Sequence, residues 1–218
     1  VSQMPPHTWF ISFFTGSGAV ERRKLPALHT WLFELDPFVA GWWKQNLDRV
    51  CPGAQFVHGD GLRWFDAHAD RLPADALALL DPPYLLPKLS DQPYNLPFTR
   101  ADHVRLLKAA DRATCRVMLC GYDTELYAEG LRRPKWRRST RLVQTRYGGM
   151  KTECLWMNYD PETESGFERS VPGKDKRERW SLKKKARRWA ENAAAMRSEE
   201  LFYVTAAILD AVRSRVTE

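Results

Sequence analysis

The chain has 218 residues, of which 44% are hydrophobic and 12% aromatic, nine of them tryptophan; that suits one core-bearing domain, with or without an appendage, and excludes global disorder. No apolar run approaches the roughly 18–20 residues of a membrane-spanning helix and no secretory segment opens the chain, so a cytoplasmic protein without membrane attachment is expected. A net charge of +7 favours a polyanionic partner, while Cys51, Cys115, Cys120 and Cys154 have neither C-x-x-C nor Cys/His spacing, so no metal or redox motif is indicated.

Trp9 to Phe14 is a short apolar run that ends in Thr15-Gly16-Ser17-Gly18, a strand entering a glycine turn. Thr30 to Leu35 is a second strand, closed by Glu34-Leu35-Asp36-Pro37; Pro37 suits the first turn of a helix carrying Phe38, Trp42 and Leu47. Ala54 to His58 is a third strand, ending at Gly59-Asp60-Gly61, and Ala76 to Leu80 a fully apolar fourth, running into Asp81-Pro82-Pro83-Tyr84. Thr99 and Asp102 have the spacing of a capping box and open a helix through Val104, Leu107 and Ala110. Arg116 to Cys120 is a fifth strand, and two further β-rich stretches lie near residues 140–145 and 153–159. Strands alternating with helices at this spacing predict a mainly parallel α/β sheet, doubly wound, with helices on both faces.

The last third changes character. Residues 162–175 are polar with Gly166, Pro172 and Gly173 and read as a linker between a domain over 1–161 and a basic appendage over 176–218. Leu182, Ala186, Trp189, Ala193 and Met196 form one helical stripe; Ser198 opens a second helix striped by Leu201, Val204, Ile208 and Val212, predicting a helical hairpin. The charge is concentrated in this half. From Gly130 to Arg146 there are seven basic residues, Arg132, Arg133, Lys135, Arg137, Arg138, Arg141 and Arg146, and no acidic one. From Arg169 to Arg188 there are ten basic residues, among them Lys183, Lys184, Lys185, Arg187 and Arg188, against two acidic ones. Either run alone reads as a solvated face. Two of them, interleaved with Trp136, Tyr147, Trp180 and Trp189, point to nucleic acid.

The chemistry-bearing residues gather at predicted strand ends. In an open parallel sheet, ligands bind at the carboxyl ends of the strands near the topological switch point. Gly16 and Gly18 sit where a backbone must pass close to a ligand, and a carboxylate closing the second strand suits a ribose diol. Gly-x-Gly alone is weak, because turns use glycine for backbone reasons. Asp81-Pro82-Pro83-Tyr84 is stronger: two prolines hold an extended path and remove two backbone donors, leaving an aspartate and a carbonyl to accept from an –NH₂ group and a tyrosine face for a planar base.

With these residues in place the chain resembles the Dam-like class of DNA adenine N6-methyltransferases, particularly its compact phage-type members. The resemblance runs through Phe14-Thr15-Gly16-Ser17-Gly18, Glu34-Leu35-Asp36, Gly59-Asp60, Asp81-Pro82-Pro83-Tyr84, Asp102-His103, Gly121-Tyr122 and the segment Glu153-Cys154-Leu155-Trp156-Met157-Asn158-Tyr159, about residues 6–160 in motif order. It implies a seven-stranded methyltransferase sheet, S-adenosylmethionine as cofactor, and methyl transfer to adenine in DNA, in a restriction-protecting or regulatory role. Carried over by position, Phe14, Thr15, Gly16, Ser17 and Gly18 form the cofactor turn, with Gly16 and Gly18 against the methionine part. Glu34, with Leu35 and Asp36, holds the ribose; Asp60 and Gly61 lie near the adenine ring; Asp81, Pro82, Pro83 and Tyr84 form the catalytic pocket, Asp81 also reaching the cofactor.

The chain departs from the pattern twice. Val1–His7 lacks the lysine- and glycine-containing segment that closes over the cofactor, and since the first residue is Val1 rather than Met, a short native piece is expected to be missing. Only residues 61–80 separate the third-strand motif from Asp81, room for a helix and a strand but not a recognition domain. Base reading is then left to residues 85–98 and the two basic segments, whose composition suits phosphates more than base edges, so a short or relaxed target is expected. The same pocket would accept an unstacked RNA base, which makes an RNA base-amine methyltransferase the alternative. A non-catalytic DNA-binding protein with a vestigial site is a third reading, opposed by the intact Asp81 and Tyr84.

Overall fold

The computed structural model describes residues 1–86, 96–132, 134–144, 149–164, 176–201, 203–205 and 207. The chain divides into two compact units, Val1–Phe167 and Glu168–Glu218. The first is built on one seven-stranded sheet of order β3-β2-β1-β4-β5-β7-β6. Its strands are β1 (Trp9–Ser12), β2 (His29–Glu34), β3 (Gln55–His58), β4 (Ala76–Leu80), β5 (Arg116–Tyr122), β6 (Arg137–Gln144) and β7 (Met150–Met157). β1 to β5 run parallel; β7 is antiparallel to both β5 and β6. This is the sheet expected of a methyltransferase.

Helices cover both faces of the sheet: α1 (Pro37–Val50), α2 (Gly61–His68), α3 (Arg100–Arg112) and α4 (Glu125–Gly130), with a 3-10 turn at Ala69–Arg71. Strand alternation splits the core in two. Ile11, Ala78, Leu80, Val117 and Leu119 face Phe65 of α2, Leu106 of α3 and Tyr127 of α4. Phe10, Leu77, Leu79 and Met118 face Trp43 of α1. β4 is buried at every position, which is why it reads as an unbroken apolar run.

The local signals explain the helix starts. Asp36 caps α1, accepting from the Phe38 and Val39 amides, with Pro37 in the first turn. Thr99 and Asp102 form the capping box of α3 in both directions. Asp60 caps α2 by accepting from the Arg63 amide at 2.9 Å. Ala40 and Trp43 of α1 enter the core and Leu47 packs against it, while Phe38 is 83% exposed. The Trp43 indole N–H donates to the Gly16 carbonyl at 2.8 Å, and that bond fixes which side of α1 meets the sheet. The short α4, capped by Thr124, has too few residues to show a period and was not expected from the sequence. A turn of helix, α5 (Pro161–Glu164), occupies the start of the expected linker, whose remaining residues 165–175 lie outside those described.

In the second unit α6 (Lys176–Ala194) is followed by helical residues 198–201 and 203–205. Trp189, a member of the expected apolar stripe, is half exposed. Ile208 and Val212, needed to complete the hairpin, lie outside the described residues. Among the described residues no helix is long and apolar enough to cross a membrane.

Two glycines predict opposite stability effects. A Cβ on Gly61 would lie 2.1 Å from the Phe13 carbonyl oxygen, a backbone atom that cannot step aside. Gly61→Ala is expected to cost about 1–3 kcal/mol as an overpacking change, lowering Tm by roughly 3–10 °C. Gly41 lies inside α1 with nothing within 4 Å of a Cβ; Gly41→Ala is expected to raise stability by about 0.5–1 kcal/mol. Thermal unfolding of both variants checks the pair.

Candidate active site

The carboxyl ends of β1, β2 and β4 meet at the point where the strand order reverses, between β1 and β4. After β1 the chain turns through Gly16 and Gly18, both at positive φ (52° and 69°), which side chains other than glycine rarely adopt. The two differ in what surrounds them. A Cβ on Gly16 would meet nothing within 4 Å, so this residue faces open space, whereas one on Gly18 would stand 2.4 Å from the Trp43 ring. Gly16 leaves room for a ligand; Gly18 leaves room for the tryptophan beneath it.

Glu34 at the end of β2 is held in place by the backbone. Its Oε2 accepts from the Gly16 amide at 2.8 Å and its Oε1 from the Asp36 amide at 2.9 Å. Each oxygen spends one lone pair on orientation and retains a second. The side chain is thus set at the rim of a cavity of about 700 Å³, within the roughly 300–1,000 Å³ of small-molecule and cofactor sites. Of the residues singled out from the sequence, Phe14, Gly16, Ser17, Glu34, Leu35, Asp36, Asp60, Gly61, Asp81 and Pro83 line this one cavity. Thr15, Gly18, Pro82 and Tyr84 do not; Thr15 is buried, its hydroxyl donating to the Phe33 carbonyl at 2.9 Å.

The sequence reading missed part of the wall. Phe38 and Trp42, four residues apart on α1, present aromatic surface to the cavity beside Leu35 and Val39, and Leu96 and Phe98 close it from before α3. The available signal was the i, i+4 aromatic pair one turn after Glu34. Asp36 and Asp60 line the cavity while capping α1 and α2, so a structural role accounts for each without a ligand.

Asp81 lines the cavity and is exposed through it, while protein packs around the inner side of its carboxyl. The packing around its carboxyl raises its pKa to about 6, with the nearby Glu153 and Glu21 charges adding to it and the polar Tyr84 and Cys120 side chains working against it. Tyr84 lies on the far side of Asp81 from Glu34. Its ring meets Tyr122 of β5 edge-on at 4.8 Å, and its hydroxyl donates to Glu153 Oε1 of β7 at 2.8 Å. Burial, and the Asp81 charge, hold the phenol protonated by pushing its pKa up. Asp81 therefore stands between two environments: a glycine, carboxylate and aromatic cavity towards β1 and β2, and a tyrosine pair towards β5 and β7.

His103, in the first turn of α3, has no solvent-accessible surface and packs edge-on against Phe98 of the cavity wall at 4.7 Å. Its Nδ1 lies 2.8 Å from the Tyr127 hydroxyl, and its Nε2 has no hydrogen-bond partner among the described residues. Burial lowers its pKa to about 4. The unfolded chain binds this proton more tightly than the folded one, so stability is full above about pH 6.5 and falls as pH drops towards 4, by up to about 3 kcal/mol. His103→Gln, which keeps a partner for Tyr127 but cannot ionise near neutrality, is expected to remove that part of the acid sensitivity. Urea unfolding at pH 7 and pH 4.5 measures it.

The expected nucleic-acid residues fall on both units. Lys135 pairs with Asp111 at 3.2 Å, Arg137 with Asp160 at 3.9 Å and Arg138 with Asp123 at 2.8 Å, all half-exposed. Such surface pairs are worth about 0–1 kcal/mol, so a phosphate can replace the carboxylate at small cost. Arg132 is exposed; Arg133 lies outside the described residues. On α6, Lys184, Lys185 and Arg188 are exposed, and the side chains of Lys183 and Arg187 are outside those described, as is the segment 87–95 of the expected base-reading loop. No group of three or more His, Cys, Asp or Glu residues that could hold a metal occurs among the described residues.

No protein-family model matches the chain, and no curated protein matches it. Solved structures with a similar fold include spermidine synthase from Thermotoga maritima, 13% identical, covering 75% of this chain and 57% of that one, TM-score 0.49. An rRNA methylase from Streptococcus thermophilus is 10% identical over 70% of this chain and 88% of that one, TM-score 0.44. A proposed methyltransferase from Streptococcus mutans, in complex with SAH, is 10% identical over 72% and 92%, TM-score 0.47. All three lie below 25% identity and below a TM-score of 0.5, so the functional reading rests on this chain's own residues.

Proposed function

We propose that the protein transfers a methyl group from S-adenosylmethionine to the exocyclic N6 amine of adenine in DNA. The observation that carries this is the position of Asp81-Pro82-Pro83-Tyr84: it follows β4 at the switch point, with Asp81 lining the same cavity as Gly16 and Glu34. The cavity's chemistry suits the cofactor. Glu34 offers oriented acceptors for a ribose diol, Gly16 an open backbone approach, and Phe38 and Trp42 flat apolar surface for an adenine ring.

Bound there, S-adenosylmethionine supplies an electrophilic sulfonium methyl. The residues of this chain act on the other reactant. The amine nitrogen of adenine is conjugated with its ring and is a poor nucleophile. Asp81, ionised above about pH 6, and the Pro82 carbonyl accept from the two amine hydrogens, favour a pyramidal nitrogen and aim its lone pair at the methyl carbon. Transfer would join the methyl carbon to the nitrogen as the bond to sulfur breaks, the spent cofactor leaving as a neutral thioether and one nitrogen proton passing to solvent. Positioning and electrostatics carry the rate, with no covalent enzyme intermediate. The base must leave the duplex, at a cost of a few kcal/mol offset by stacking on Tyr84.

The RNA alternative shares this pocket, and substrate decides between them. Labelled methyl transfer to matched DNA and RNA oligonucleotides is expected to favour DNA. Transfer to RNA alone would replace the proposal, and failure to bind the cofactor by calorimetry would leave the vestigial reading.

A further inference from the structure

The β6–β7 pair outruns the rest of the sheet. β5 pairs with β7 only as far as Tyr122↔Glu153, whereas β6 and β7 stay paired through Leu142↔Thr152, Val143↔Lys151 and Gln144↔Met150. Three residue pairs, about 10 Å of two-stranded ribbon, thus extend past the carboxyl end of β5. That is the edge on which Asp81 lies, and β7 stands two strand spacings, about 10 Å, from β4.

Alternation gives the ribbon two different faces. One carries Arg141, Val143, Lys151 and Glu153 and meets the tyrosine pair: Lys151 Nζ is 4.7 Å from the Tyr122 ring centre, and Glu153 accepts from Tyr84. The other carries Leu142, Gln144, Met150 and Thr152. Here Leu142 is 62% and Met150 56% exposed, two large apolar side chains diagonal to one another on the same face of a projection from the sheet. Near them stand Arg138, paired with Asp123, and the bases Arg141 and Lys151 against Glu153, whose carboxylate is engaged by Tyr84.

We infer that this ribbon enters the major groove of duplex DNA beside the adenine being methylated, which rests on the function proposed above and narrows its substrate to B-form duplex. A B-form major groove is about 12 Å wide and about 8.5 Å deep and admits a two-stranded ribbon, matching the reach of residues 142–144 and 150–152. The basic residues suit phosphates on either side of a groove. The Gln144 amide is of the type that pairs with adenine N6 and N7, and Leu142 and Met150 suit thymine methyls. The major groove of A-form RNA is too deep and narrow for side chains to read, so the same ribbon disfavours an RNA duplex.

The test uses the full chain carrying Leu142→Ser with Met150→Ser, exposed positions whose change leaves the core intact. Fluorescence anisotropy reads affinity for a DNA duplex, for one of its single strands and for the RNA duplex of the same sequence. The wild type is expected to bind the DNA duplex more tightly than the RNA duplex, and the variant to lose about tenfold on the DNA duplex while its single-strand affinity stays within about twofold. Unchanged duplex affinity, or an equal loss on single strand and duplex, would overturn the ribbon's role. Methyl transfer measured in parallel separates the two readings: no transfer by the wild type, together with the duplex-specific binding loss in the variant, leaves the ribbon standing and removes the methyltransferase.

Discussion

Asp81→Ala is expected to abolish methyl transfer while leaving the cofactor bound. In the proposed mechanism Asp81 faces both reactants: it lines the cavity with Gly16 and Glu34 on one side and neighbours Tyr84 and Cys120 on the other. Loss of a preorganised electrostatic partner costs about 10²–10³ in kcat, and retention of more than a few per cent of activity would contradict the assignment. Cofactor affinity by calorimetry is expected to change little, because Glu34 and the glycine turn remain. A pH profile adds a signature that a structural role would not give. With its pKa raised to about 6, Asp81 is ionised and accepting above that value and protonated below it. Wild-type kcat/KM is expected to fall about tenfold per pH unit below about 6, and the residual rate of Asp81→Asn to lack that limb.

The next largest effect is expected at Tyr84. Tyr84→Ala removes the aromatic face for the extruded base, a loss of roughly 1–3 kcal/mol, so kcat/KM on DNA should drop about tenfold or more while cofactor affinity holds. Tyr84→Phe keeps the ring and its edge-on contact with Tyr122 but loses the hydroxyl that donates to Glu153. It is expected to recover most of the activity. A phenylalanine variant as poor as the alanine one would move the working part from the ring to the hydroxyl bridge, with Glu153 as the positioning residue.

The legible parts of this chain are those where one residue type has one physical reason. β4 is readable because both of its faces are buried, and its bounds, Ala76–Leu80, coincide with the apolar run. The starts of α1 and α3 are readable because Asp36 with Pro37, and Thr99 with Asp102, are local capping devices. α1 shows where local reading stops. Phe38, Trp42 and Leu47 have helical spacing, but spacing does not say which side meets the sheet; Trp43, anchored to the Gly16 carbonyl, decides that and turns Phe38 and Trp42 towards the cavity. The glycine turn reads as one motif, yet Gly16 and Gly18 serve different neighbours, a division that depends on a tryptophan far along the chain. Tyr84 reads as a stacking face, while its hydroxyl bonds to Glu153, 69 positions further along the chain.

The central claim is that adenine in DNA receives the methyl group. It is tested most directly by nucleoside mass spectrometry of DNA and RNA from cells expressing the wild-type chain or Asp81→Ala. N6-methyldeoxyadenosine that appears with the wild type and is absent with Asp81→Ala is the predicted result; DNA free of it in both, or the methylated nucleoside in RNA alone, would contradict the account.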